Sequence, residues 1–145
     1  MTTLKEIMTK DPITVSPDDS AQKAASLMKE SHVGPIPVLD HESKLIGMIT
    51  DRDLAIKVVA EGRDSDTKVS DVMTRNLYTC GPNDNVKEAI ELMETHQVRR
   101  VPIVDKQGHL LGIVAQADLA TRTRKPERVG EAVENISQAS DAESR

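Results

Sequence analysis

The sequence predicts an α/β (α+β) fold: two β-α-β-β-α repeats packed about a pseudo-twofold axis. Three observations lead there. The chain matches itself without a gap when it is shifted by 65 residues. Each copy carries the same order of extended, helical-period and alternating runs. Each copy also holds only roughly 50–60 residues, a size at which an isolated core is marginal, so the two must pack on one another.

The internal match is dense. Met8-Thr9 falls on Met73-Thr74, Thr14 on Thr79, Pro17 on Pro82, Asp19 on Asp84 and Ala24 on Ala89. Leu27-Met28 falls on Leu92-Met93, Val33 on Val98, Pro37 on Pro102 and Asp40 on Asp105. The longest shared phrase is GMITDRDL, whose Gly47, Asp53 and Leu54 return as Gly112, Asp118 and Leu119 in GIVAQADL. Thr50 of the first copy becomes Ala115 in the second.

In the first copy, LKEIMTK reads as one helical turn, with Thr3 and Glu6 at capping-box spacing. ITVSP is extended and stops at Pro17. Asp18 and Asp19 sit where acidic side chains favour a helix start. The helix AQKAASLMKES follows, with Ala21, Ala24, Ala25 and Met28 on one face. IPVLD and KLIGMIT alternate and are joined by the polar turn HES, the pattern of a β-hairpin. DRDLAIKVVAE is the last helix, and Gly62 is placed to end it. The second copy repeats the order with SDVMT, LYTC, VKEAIELMETH, VPIVDKQGHLLGIV and a helix from Gln116. This divides the chain into a first repeat over 1–62, a polar linker over 63–68, a second repeat over 69–122 and a tail over 123–145. Within the tail VGEAVENIS is a possible short helix, and the end from about residue 137 is expected to be disordered.

Composition removes several function classes. The formal net charge is −5, which opposes a non-specific grip on DNA phosphates. The chain has one Tyr and no Phe or Trp, so it is poorly equipped to stack exposed bases of single-stranded nucleic acid. No apolar run approaches a membrane span and the N-terminus lacks the apolar core of a signal peptide, so the expected compartment is the cytoplasm. A lone cysteine, Cys80, excludes an intrachain disulfide. His32, His41, His96 and His109 share no metal-ligand spacing, so no metal site is expected.

The residues Thr50-x-x-Asp53 admit two readings. One is a helix cap, with the threonine hydroxyl and the carboxylate each satisfying a backbone donor. The other places a phosphate on the hydroxyl at the start of the helix and a ribose diol on the carboxylate.

The paired copies, each closing on G-h-h-x-x-x-D-L, resemble a tandem of CBS domains, the family named after cystathionine β-synthase, whose pair is called a Bateman module. The resemblance covers residues 4–120 and includes VMT, the helix before VRRVP and the hairpin. It implies a regulatory sensor that binds an adenine nucleotide (AMP, ADP or ATP, with S-adenosylmethionine or NAD also possible) in the clefts between repeats. Carried over, Asp53 holds the ribose and Thr50 a phosphate, while Ile13, Thr14, Val15, Ile36 and Pro37 enclose the adenine. In the second copy Asp118 keeps the ribose role and Tyr78, Thr79, Cys80, Val101 and Pro102 line the pocket, but Ala115 has lost the hydroxyl. Arg99 and Arg100, where the first copy has Gly34 and Pro35, suit phosphate through their planar forks or else are solvated edge residues. Arg52 is a weaker candidate that could instead pair with Asp51 or Asp53.

The expected function is a stand-alone ligand-sensing module, a homodimer acting on an unidentified protein target, with no DNA or membrane partner. The alternative is a ligand-free interaction scaffold. No activated nucleophile, acid–base pair or metal cluster is readable, so no catalytic residue is expected.

Overall fold

The structure, a computed structural model, describes residues 2–122; the helix expected over VGEAVENIS and the polar end lie outside them. The elements are α1 (Leu4–Ile7), β1 (Thr9–Lys10), α2 (Ala21–Ser31), β2 (Ile36–Leu39), β3 (Leu45–Ile49) and α3 (Asp51–Asp53), which runs on as a π-helical stretch over Leu54–Val59. They continue with α4 (Val69–Val72), α5 (Val86–His96), β4 (Arg100–Val104), β5 (Leu110–Ala115) and α6 (Gln116–Arg122).

The two long helices cover the residues that their periodicity predicts because both ends are fixed locally. Ser20 Oγ accepts from the Lys23 N–H at 3.0 Å, and Asn85 Oδ1 from the Glu88 N–H at 3.0 Å. At the other ends His32 and Gln97 take left-handed backbone, with φ of 54° and 55°. Asp19 is not the cap; its Oδ2 accepts from the Ser16 N–H at 2.8 Å and closes the preceding turn, as Asp84 does from the Gly81 N–H at 2.8 Å. The buried face of α2 centres on Ala24, so Leu27 packs at its edge and Ala25, expected inside, is exposed.

The expected first strands are reduced to single parallel bridges, Val15 with Val38 and Cys80 with Ile103. Pro12 and Pro17 bracket the first of them, and proline cannot donate to a ladder. β2 and β3 form the predicted hairpin, with Ile36 opposite Ile49. A strand that periodicity did not reveal, β1, pairs antiparallel with β5, Thr9 opposite Ile113 and Lys10 opposite Gly112. Gly62, at φ 69°, ends the helical segment as expected.

Among the described residues, two compact units form. The first holds Pro12–Leu77 with Gly108–Leu110, and the second holds residues 2–11, 78–107 and 111–122. They divide the chain differently from the repeat: each takes its opening helix from the other copy. The Leu4 and Lys5 N–H groups donate to the Asp84 and Pro82 carbonyls at 2.9 and 3.0 Å. One repeat length on, Val69 and Ser70 donate to Asp19 and Pro17 at 2.9 and 3.0 Å. Leu4 and Ile7 thus enter a core with Ile90, Met93, Val101 and Leu119, while Val69, Val72 and Met73 enter one with Ala24, Ile36, Val38 and Ile49. The 63–68 linker is tied down in the first unit, where Ala21 and Gln22 donate to the Thr67 and Ser65 carbonyls at 2.8 and 3.1 Å.

This exchange explains the glycine of the recurring phrase. A methyl on Gly47 would lie 2.6 Å from Met73 Sδ and 3.1 Å from the Thr74 carbonyl oxygen. On Gly112 it would lie 2.7 Å from both Met8 Sδ and the Thr9 carbonyl oxygen. The Met-Thr pairs recur because each crosses a glycine in its unit.

Candidate functional site

Where β3 ends, Thr50 leaves the sheet with extended backbone and α3 begins. Thr50 Oγ1 accepts from the Asp53 N–H at 3.0 Å, and Asp53 Oδ2 accepts from the Thr50 N–H at 3.0 Å. This is the capping box, present in full. In the second unit Asp118 Oδ2 accepts from the Ala115 N–H at 3.0 Å, so the carboxylate half survives the loss of the hydroxyl.

Asp53 does more than cap. It is buried, with 6% of its surface exposed. One turn on, the Lys57 ammonium pairs with Oδ1 at 3.0 Å and also donates to the Val72 carbonyl at 3.1 Å, at the end of α4 where a cation is favoured. The Thr74 hydroxyl lies 3.1 Å from each carboxylate oxygen. Neither Lys57 nor Thr74 emerged from the sequence as a site residue. Lys57 was signalled by its i,i+4 spacing from Asp53. Thr74 was visible only as a repeated letter.

The remaining predicted residues fall into two matching sets. In the first unit the Val15 N–H donates to the Pro37 carbonyl at 3.1 Å and the Asp51 N–H to the Gly34 carbonyl at 3.2 Å. These bonds join the segments 13–15, 34–37 and 50–53. In the second unit Cys80 donates to Pro102 at 3.1 Å and Gln116 to Arg99 at 2.9 Å, joining 78–80, 99–102 and 115–118 in the same way. The side chains of Val15, Ile36, Pro37, Cys80, Val101 and Pro102 are buried, so these residues offer a ligand mainly their backbone. Thr14, Thr50 and Thr79 are half-buried. Ile13 and Tyr78, at equivalent positions, are large apolar side chains left 40% and 38% exposed. The Tyr78 ring stacks on His96 with centroids 3.7 Å apart.

Charge distinguishes the two sets. A side chain at Gly34 would point at the Asp51 carboxylate, 3.3 Å from its oxygens. The second set has exposed Arg99, half-buried Arg100 and a neutral Gln116 at the matching positions.

The Cys80 thiol is pushed up to about 11, by burial first and then by the negative charges of Asp84 and Glu88. It stays protonated at neutral pH and is not an activated nucleophile. It is expected to resist alkylation at pH 8 in the native protein and to react once urea unfolds the chain. The unfolded thiol ionises near pH 9.0, so the stability Cys80 contributes is complete below that pH and is lost as pH rises towards about 11. Among the described residues no group of three or more His, Cys, Asp or Glu could hold a metal ion, and no helix is long and apolar enough to cross a membrane.

Known proteins share this architecture. The chain is 48% identical over 137 residues to the CBS domain-containing protein YhcV of Bacillus subtilis, covering 94% of this chain and 96% of that protein. The crystal structure of Hypoxic Response Protein I, described with two coordinated zinc ions, superposes with a TM-score of 0.77 at 35% identity, over 84% of this chain and 99% of that one. The CBS-domain pair of protein MJ0100, solved with 5′-methylthioadenosine and S-adenosyl-L-methionine, superposes with a TM-score of 0.73 at 30% identity, over 83% and 94% of the two chains. The CBS domain profile matches residues 4–60 and 69–124, the two copies of the repeat. The chain belongs to the CBS-domain family, as a tandem pair.

Proposed function

We propose that this chain is a ligand-sensing regulatory module that binds an adenosine-containing ligand and signals to a protein partner by a change of conformation. One observation carries the reading: the same three segments, joined by the same backbone bonds, are built twice. Each set leaves an apolar side chain exposed, Ile13 or Tyr78, on the extended segment joined to the one that leads to the capping aspartate. The ligands held by the CBS pair of MJ0100 supply the chemical class. In this reading Asp53 and Asp118 take ribose hydroxyls, Ile13 and Tyr78 flank the base, and Thr50, Arg99 and Arg100 receive phosphates. The ligand acts through unequal affinity for two conformations, and the module is a cytoplasmic homodimer without turnover.

A ligand-free interaction scaffold is the second reading, favoured by the engagement of the Asp53 carboxylate by three donors within its own unit.

Isothermal titration calorimetry against AMP, ADP, ATP, NAD, S-adenosylmethionine and 5′-methylthioadenosine separates them. Asp53→Asn and Asp118→Asn keep a capping acceptor while removing the charge. Micromolar binding by one ligand, lost in one or both variants, is the expected result. No heat from any ligand, with protein shown to be folded, favours the scaffold.

A further inference from the structure

We infer that the Thr74 hydroxyl is a resident competitor for the Asp53 carboxylate, holding the place that a ligand's ribose diol must take. This rests on the ligand-sensing reading and adds to it a residue outside the family phrase.

A carboxylate has about four acceptor positions, two on each oxygen. In Asp53 three donors engage them, the Thr50 N–H on Oδ2, Lys57 on Oδ1 and the Thr74 hydroxyl between the two oxygens, which leaves one position for a diol that brings two donors. A diol therefore cannot be added; it has to replace a donor. The Thr50 N–H is main chain inside the capping box and cannot swing away. Lys57 neutralises a buried charge at 3.0 Å and is held a second time by the Val72 carbonyl, and stripping a buried carboxylate of its cation is costly. The Thr74 hydroxyl carries no charge, so although its bond to the carboxylate is charge-assisted, giving it up costs less than stripping away the cation. It lies at equal distance from both oxygens, so one proton is shared between two acceptors.

Thr74 can also yield without moving the fold. Its backbone is anchored independently, with its N–H donating to the Met48 carbonyl at 2.8 Å and its own carbonyl accepting from the Met48 N–H at 2.9 Å. A rotation about χ1 removes the hydroxyl and leaves that bridge intact. The half-buried side chain can then find water. Two ribose hydroxyls would replace one shared donor with two separate ones. Until a diol arrives Thr74 gives the buried carboxylate a third donor beside the Thr50 N–H and Lys57. Its hydroxyl also sets the affinity threshold that a ligand must exceed.

The test is titration of wild type, Thr74→Ala and Thr74→Ser with AMP and with 5′-methylthioadenosine, with thermal melting run on each protein. Thr74→Ala is expected to bind about fivefold more tightly while melting at a lower temperature, because the ligand no longer displaces a hydrogen bond. Thr74→Ser, which keeps the hydroxyl, is expected to bind as wild type does. A purely structural threonine would lower the melting temperature without tightening binding. Unchanged or weaker binding by Thr74→Ala, with wild-type binding that still requires Asp53, overturns the competitor role and leaves the sensing reading standing. No binding by any of the three overturns both.

Discussion

Replacing Gly112 with alanine is expected to destabilise the protein by about 3 kcal/mol, at the upper end of what overpacking costs. The new methyl would sit 2.7 Å from the Thr9 carbonyl oxygen and 2.7 and 2.9 Å from Met8 Sδ and Cγ. The sulfur can swing aside. The carbonyl cannot, because it belongs to β1, which is paired with β5 at this very place, Lys10 opposite Gly112. Relief would require β1 to lift off its neighbour. Gly47→Ala provides the control. Its closest contact is Met73 Sδ at 2.6 Å, the end of a flexible side chain, and the Thr74 carbonyl is 3.1 Å away, so a cost of about 1 kcal/mol is expected. Urea denaturation monitored by circular dichroism reads both, as lowered midpoints with an unchanged m-value. Equal costs at the two glycines would show that the backbone contact at Gly112 relaxes freely.

The second large effect is expected at Leu4. α1 has four residues, too few for a helix to hold itself, so its place depends on what it buries. Leu4 is fully buried in the core of the second unit, with Ile7 beside it. Leu4→Ala should cost about 3 kcal/mol, as cavities left by buried leucines do. Were α1 only a peripheral turn of the first copy, the same change would cost a few tenths. The counterpart, Val69→Ala in α4, removes less side chain and should cost about half as much. Measuring both by urea denaturation tests whether the two opening helices are equivalent parts of the two cores.

What was legible beforehand follows from how locally each feature is determined. The bounds of α2 and α5 could be read because Ser20, Asn85 and the left-handed residues after each helix act within one turn. The hairpin could be read because alternation and a polar turn are local too. The exchange of opening helices could not. A repeat tells which residues are alike, and it is silent on which copy a segment packs against. β1 was missed for the same reason: two residues carry no period, and Thr9–Lys10 is a strand only because β5 lies beside it. In the candidate site the phrase around Asp53 was legible together with both of its readings. The structure realises the capping one in full. The burial of Val15, Ile36, Cys80 and Val101 was hidden because apolar residues at a pocket wall and in a core look the same in sequence. Thr74 was hidden because its partner lies far away in the chain, beyond the reach of any local rule.

The traded opening helices carry a consequence for any attempt to divide the chain. A single copy cut out of this chain would hold an arm shaped for another body and a body lacking its arm. Such a half could close its core only by swapping arms with a second molecule of its own kind. Either copy expressed alone is therefore expected to form an interlocked pair of molecules or to remain unfolded.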